Sequence, residues 1–251
     1  MITPKRRKNG FEKPYSCIQI VSLCIAILTM LNFSLLCVPF LPYSDFVNYI
    51  QIASVVLLIV SSLLTSIFWY HTSVVDPGDC INRDSGVYCE ICAKCVHVTC
   101  KHCRRCNKCV EDFDHHCKVV NNCIGKKNYR LFIGLLVSII FQQAFIIIFT
   151  TIFIVRLLKK NIKSFKKDSF KGLNPEAIAF FNFLTLLMSI VVVSSSMTLL
   201  GMHIYLHFKG ITTYQYIMNK KSNEPVQTEG GNTNKNFHKD MDLTKIVPAC
   251  K

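Results

Sequence analysis

Acidic residues are scarce in this chain: 15 Asp and Glu stand against 29 Lys and Arg, for a net charge of +14. That scarcity excludes an acidic, solvating chain. Charge of either sign is missing from residues 14–44, 46–75, 131–155 and 177–208. Four such runs exclude an ordinary soluble globule, whose surface helices carry charge on their outer faces. A helix crosses a hydrocarbon core of ~30 Å with about 20 apolar residues, and each run is long enough. The predicted spans are Cys17–Phe40, Val47–Tyr70, Leu131–Val155 and Ile178–Phe208. The first run exceeds the roughly 7–15 apolar residues of a secretory signal and lacks a small-residue cleavage pattern after it, so it reads as a span.

What charge there is lies between the spans. Lys5, Arg6, Arg7, Lys8 and Lys13 precede the first, whereas the next loop, Leu41–Phe46, has no basic residue. The positive-inside rule puts the N-terminus in the cytosol, and with it the 71–130 loop and the tail after Phe208. Lys159, Lys160, Lys163, Lys166, Lys167 and Lys171 fall on the opposite side and run against that bias. The surplus of positive charge is read as facing anionic lipid.

The segment after the second span has too few aliphatic residues for a core of its own. It has cysteine instead: residues 89–132 hold nine of the 14 cysteines, with four histidines. In a reducing compartment, CxxC pairs read as metal ligands rather than a disulfide framework. Cys89 and Cys92 form one pair, and Cys103, Cys106 and Cys109 an overlapping second. His102, His115, His116, Cys117 and Cys123 complete the strongest candidates. Zinc takes four thiolate or imidazole ligands in a closed structural site, so two ions need eight. Spacing leaves open which ligands share an ion. The CxxC spacings recur too locally to count as a solenoid-type repeat. Asp76-Pro77-Gly78 reads as a turn after the second span, and residues 220–240 as polar and disordered.

These residues carry a resemblance. Cys89-x2-Cys92-x9-His102-Cys103-x2-Cys106-x2-Cys109-x4-Asp114-His115-His116-Cys117-x5-Cys123-x4-Asn128-x3-Phe132 resembles the DHHC-type zinc-finger protein S-acyltransferases, the palmitoyltransferases. Asp76-Pro77-Gly78 resembles the family's DPG element, and Thr212-Thr213-Tyr214-Gln215 its TTxE element. The resemblance covers roughly residues 15–218. It implies an all-α polytopic membrane protein: four transmembrane helices with a cytosolic cysteine-rich two-zinc domain between helices 2 and 3. The expected divisions are a basic N-terminus (1–15), a hairpin (16–75), the zinc domain (76–130), a second hairpin (131–208) and a mostly disordered cytosolic tail (209–251).

The resemblance further implies two interleaved structural zinc sites, Cys89, Cys92, His102 and Cys109 for one, Cys103, Cys106, His116 and Cys123 for the other. Cys117 is then free as the nucleophile, with His115 as base and Asp114 orienting it. The implied reaction moves a palmitoyl or other long-chain acyl group from acyl-CoA, through acyl-Cys117, to juxtamembrane cysteines of substrate proteins. Lys101, Arg104, Arg105, Lys126 and Lys127 are the expected contacts for the CoA phosphates, with Lys108 and Arg130 as further candidates. Ser194, Ser195, Ser196 and Gly201 are candidates to make room for the acyl chain between the helices. Cys95 and Cys100 are expected to be small, partly buried residues of a metal-rich knuckle, with no further role, and Cys80 to have none either. An endomembrane, ER or Golgi, is the implied location.

The sequence departs from the family pattern in places. Val96-His97 and Thr99 stand where K-P-x-R is usual. Lys118-Val119 replaces Pro-Trp, as in a smaller subgroup with Lys after DHHC. Gln215 replaces the glutamate of TTxE, and the family's C-terminal aromatic and asparagine element has no clear match. The second threonine of the element, Thr213, keeps the option of bonding Asp114. The alternative reading is a non-catalytic membrane zinc adaptor that keeps the fold. Nucleic acid is not an expected partner: no finger helix with paired-cysteine, paired-histidine spacing is present.

Overall fold

A computed structural model describes residues 5–38, 45–78, 86–159 and 174–223. Helix α1 (Cys17–Asn32) runs on through a π-helical turn at Phe33–Cys37. Next come α2 (Asp45–Val74) and six short strands: β1 (Val87–Cys89), β2 (Lys94–Val96), β3 (Lys101–Cys103), β4 (Lys108–Val110), β5 (His115–Cys117) and β6 (Asn122–Ile124). Helices α3 (Tyr129–Lys159), α4 (Pro175–Lys209) and α5 (Thr213–Asn223) follow. Four helices have apolar windows long enough to cross a membrane: Cys17–Cys37, Ile52–Val74, Tyr129–Lys159 and Glu176–Lys209. The chain is therefore a mostly helical, four-span architecture with its zinc-binding region between the second and third spans.

The spans match the predicted ones except at their ends. Helix α2 continues past Tyr70 because the hydroxyls of Thr72 and Ser73 donate back to the carbonyls of Phe68 and Trp69, at 2.6 and 2.8 Å. Polar residues satisfied in this way do not break a helix. It ends where Asp76 accepts the Gly78 N–H at 2.9 Å, an Asx-type turn. Helix α4 starts with Asn174 accepting the Glu176 N–H and Pro175 in the first turn, and it stops at Gly210 in the left-handed region (φ 65°). Lys220–Asn223, expected to be disordered, form the last turn of α5. Residues 224–240 and the basic residues Lys160–Lys171 lie outside the described residues.

Helix α3 packs against both α2 and α4. At Gly134 the approach to α2 is close: a Cβ there would meet the Phe68 ring at 2.5 Å. One core, around Phe33, Leu58, Ile146 and Phe153, ties the π-helical turn to the bundle. Within it Asn182 donates to the Leu36 carbonyl at 3.0 Å, and Gln142 donates to Ser62 at 3.0 Å. A second core joins the strands to the helices: Val120 and Ile124 pack with Phe132, Leu135 and Leu136, against Phe68, Trp69 and Cys117. Outward residues such as Leu28, Phe141 and Phe208 are exposed, as lipid-facing positions should be. Ser194, Ser195 and Gly201 also face outward, and only Ser196 of that group is buried. Three of the four small residues offered as candidates for close helix packing with room for an acyl chain thus lie on the outer face of α4.

Candidate active site and metal centres

The six strands form three antiparallel hairpins, β1–β2, β3–β4 and β5–β6, with one shared register. Their central pairs are Tyr88 with Cys95, His102 with Cys109, and His116 with Cys123. Equivalent positions recur every 14 residues: Cys89, Cys103 and Cys117 end the first strands, and Cys92, Cys106 and Val120 sit in the turns. The residue after each of these, Ala93, Asn107 or Asn121, is left-handed, with φ of 48 to 50°. A repeat is therefore present, shorter than any solenoid unit and unrecognised in the sequence because half of its key positions change identity.

The hairpins share their ligands. Cys89 and Cys92 of the first meet His102 and Cys109 of the second; Cys103 and Cys106 of the second meet His116 and Cys123 of the third. Within each set all ligand atoms lie within 4.8 Å of one another. His102 Nδ1 stands 3.2 Å from Cys92, 3.8 Å from Cys89 and 3.7 Å from Cys109. His116 Nδ1 stands 3.4 Å from Cys106, 3.9 Å from Cys103 and 3.8 Å from Cys123. Sulfur and nitrogen ligands around a tetrahedral zinc, at about 2.3 and 2.0 Å from it, are about 3.6 Å apart. The three-sulfur, one-nitrogen sets thus fit two structural zinc ions in both geometry and donor chemistry.

Sharing between neighbours leaves residues over at each end. On the first hairpin these are Tyr88 and Cys95, and on the third Cys117 and Val120. Cys95 and Cys100, half-buried and buried as small knuckle residues were expected to be, are both disulfide-bonded. Cys80 lies outside the described residues.

Cys117 is partly exposed at the junction of the hairpins and the bundle. Beside it, Asp114 is buried and holds Nδ1 of His115 at 2.6 Å. Burial alone would raise the Asp114 carboxyl. The His115 hydrogen bond and the Thr213 N–H, 2.8 Å away, outweigh it and hold the group below the usual carboxylate range. Burial would likewise lower His115, but hydrogen bonds and charge from Asp114 and Cys117 raise it to about 9. For Cys117, burial is outweighed by His115 and by the backbone N–H groups of Val120 and Val119, so the thiol is depressed. The three groups favour a thiolate beside an imidazolium.

One residue beside this site escaped sequence reasoning, and a second was read only as a departure. His203, on α4, is buried with its ring 6.0 Å from His115 and 5.2 Å from Phe132, and its Nδ1 bonds the Tyr129 hydroxyl at 3.2 Å. Its signal was available: a histidine in an otherwise uncharged span. Gln215 is the residue read only as the loss of the family's glutamate. Its Oε1 accepts the Thr212 N–H at 2.8 Å while the Thr212 hydroxyl accepts the Gln215 N–H at 3.3 Å. This is a capping box, which glutamine closes as well as glutamate. Thr213 bonds Asp114, the option the sequence kept, through its backbone N–H; its hydroxyl is buried without a hydrogen-bond partner.

The basic residues separate. Lys108 is 1% exposed and bonds Asp76 at 2.9 Å, the Lys8 carbonyl at 2.9 Å and Asn122 at 3.2 Å. It is a buried structural cation and is not available to a CoA phosphate. Lys101 lies 5.8 Å from the centre of the Tyr214 ring, and Lys126 pairs with Glu111. Arg104, Arg105, Lys127 and Arg130 are on the surface.

A search of the curated proteins gives no match. A family model described as DHHC palmitoyltransferase matches residues 82–220, from the first hairpin to the capped helix α5. That match takes in more than half of the sequence, and the chain belongs to the DHHC palmitoyltransferase family.

Proposed function

We propose that this protein is an active protein S-acyltransferase, carrying a palmitoyl or similar long-chain acyl group from acyl-CoA to cysteines of substrate proteins. The observation that carries the reading is the Asp114–His115–Cys117 arrangement: an oriented imidazole beside the one CxxC-region thiol left over from both metal clusters. In the first step the Cys117 thiolate attacks the acyl-CoA thioester carbonyl. The CoA sulfur leaves and takes the proton held on His115. In the second step His115 accepts the proton of a substrate thiol as that sulfur attacks acyl-Cys117, and Cys117 departs as a thiolate. One thioester is exchanged for another at each step, so position and ionisation are what the protein must supply. Asp114 orients His115 and stabilises its charged form.

Cys89, Cys92, His102 and Cys109 would hold one zinc, and Cys103, Cys106, His116 and Cys123 the other. Bound zinc supplies the cross-links that replace a hydrophobic core in this segment, and no step runs through it. The apolar side chains beneath Cys117, among them Trp69, Phe132 and Leu199, suit an acyl chain, worth about 0.8 kcal/mol per buried methylene. Lys101, Arg104, Arg105, Lys126 and Lys127 remain the candidates for the CoA phosphates. Charge bias supports an active site on the cytosolic side, and membership of the family suggests an endomembrane, ER or Golgi. The Gln215 capping box removes one ground for a non-catalytic adaptor, since this departure preserves the local structure.

The test is palmitoyl-CoA turnover by the purified chain in detergent. Wild type should form a hydroxylamine-sensitive adduct on Cys117 and release CoA. Normal labelling of Cys117→Ser would sink the nucleophile assignment, and an unlabelled wild type with both zincs bound would favour the adaptor.

A further inference from the structure

The basic leader does more than mark the cytosolic side. Residues Arg6–Pro14 run across the hairpins and bond to them repeatedly. Arg6 pairs with Asp76 at 2.8 Å and also reaches the Gly78 carbonyl. The Arg7 N–H donates to the Cys106 carbonyl at 2.9 Å, and the Gly10 N–H to the Ser73 carbonyl, at the end of α2, at 2.8 Å. Phe11 packs edge-on against Trp69, with ring centres 5.6 Å apart.

The densest contacts fall on one turn, Lys118–Asn121, between β5 and β6. The Arg7 guanidinium, on a side chain only 6% exposed as a residue, donates to the Asn121 carbonyl at 2.9 Å. The Asn121 side chain donates back to the carbonyls of Gly10 and Pro14, at 3.0 and 3.2 Å. Asn121 is the left-handed residue of the turn (φ 50°). Gly10 lies so close that a Cβ would meet the Val120 carbonyl oxygen at 2.0 Å. This same turn follows directly on Cys117 and closes the hairpin in which Cys117 pairs with Asn122. In the second hairpin the equivalent cysteine is held in a metal cluster. Cys117 has no metal, and its turn has Val120 where the others have a ligand.

We propose that Arg6–Pro14 is a positioning element for the nucleophile, clamping the Lys118–Asn121 turn that follows Cys117 and so fixing where Cys117 stands. The strap takes the place of a third metal. Its bonds to Asn121 and its contact with Val120 fix from outside a turn that a ligand cysteine fixes from inside in the other two hairpins. The strap acts through the turn and touches no substrate. The proposal rests on the acyl-transfer reading for its consequence in turnover, but the state of Cys117 is measurable without it.

The test uses the full chain in detergent, with Gly10→Ala, Arg7→Ala and Arg7→Lys, and with exposed Lys5→Ala as a control. Three quantities are measured: zinc per chain, the rate of Cys117 alkylation by iodoacetamide, and the saturation kinetics of Cys117 acylation by palmitoyl-CoA. Gly10→Ala and Arg7→Ala should keep two zincs while alkylation and the maximal acylation rate fall on the order of tenfold, the scale of a hydrogen bond to a charged group. The half-saturating palmitoyl-CoA concentration should move less than about twofold, because the strap contributes no substrate contact. Arg7→Lys should recover part of the loss, and Lys5→Ala should match wild type. Unchanged alkylation in Gly10→Ala with two zincs bound would overturn the proposal. So would zinc loss in proportion to the loss of rate, which would reduce the strap to a fold tether. A wild type that alkylates normally but is never acylated counts against the acyl-transfer reading, while the alkylation comparison still decides the role of the strap.

Discussion

The first and third hairpins share one register but live in different surroundings. In the first, the turn residue Ile91 is 55% exposed and Cys92 belongs to a metal cluster. In the third, Val120 and Asn122 are fully buried, and the cysteine that ends the strand belongs to no metal cluster. A metal can hold a turn that stands in solvent. Without one, the turn must be held by packing, and here Asn122 donates to the carbonyls of Thr72, Ser73 and Val75 at the end of α2. Those are the carbonyls that a helix end leaves unpaired. The third hairpin is thereby fixed to the membrane helices, and its spare cysteine is placed over their apolar core. A ligand position is left free when the chain runs out of hairpins to share a metal with.

The sharpest way to break that comparison is to change the same register position in neighbouring hairpins. Cys103→Ser should drop zinc below two per chain and unfold the domain, since a structural zinc is worth on the order of 10 kcal/mol. Cys117→Ser should keep two zincs and the wild-type thermal midpoint while losing the acyl adduct entirely. Zinc measured by elemental analysis beside acyl labelling separates the two. Asp114→Asn should retain both zincs and lower turnover by about 10²–10⁴-fold, the range for losing the orienting partner of a catalytic imidazole.

Asp76→Ala probes the junction instead of the site. It leaves the Lys108 ammonium buried without its carboxylate and should cost about 3 kcal/mol, read as a fall in thermal midpoint. The pH response sharpens the same contrast. His115 is raised from 6.5 to about 9, so the stability from its proton is complete below 6.5 and lost as pH rises through about 9. Turnover should therefore hold across neutral pH and fall near 9, where the imidazolium that protonates departing CoA disappears. In Asp114→Asn that alkaline limb should move to lower pH. The smallest effect belongs to Gln215. Gln215→Ala opens the capping box and should cost about 1 kcal/mol of helix stability, visible as faster amide exchange at Thr213–Gln215. Gln215→Glu should close it again.

Much of this was legible along the chain. Four uncharged runs can only be satisfied in lipid, so the spans followed from composition. The CxxC spacings pointed to metal because short loops bring such sulfurs together whatever the rest of the chain does. Other residues could not be read locally. Lys108 looked like one more surface cation, and only the tertiary structure brings Asp76 from the end of α2 to neutralise it. Gln215, by contrast, was readable: Thr212-x-x-Gln215 is a capping-box pattern, and only the comparison with glutamate made it look like a loss. His203 lies far along the chain from His115, and only helix packing makes them neighbours.

The sequence by itself determined that this is a four-span protein with enough thiolate and imidazole for two zincs, because hydropathy and ligand spacing are local properties. The tertiary structure decided how those ligands divide between hairpins, which cysteine is left without a metal and what holds it in place. Those outcomes depend on strand register and on bonds between segments as far apart as Arg7 and Asn121, which no local pattern encodes.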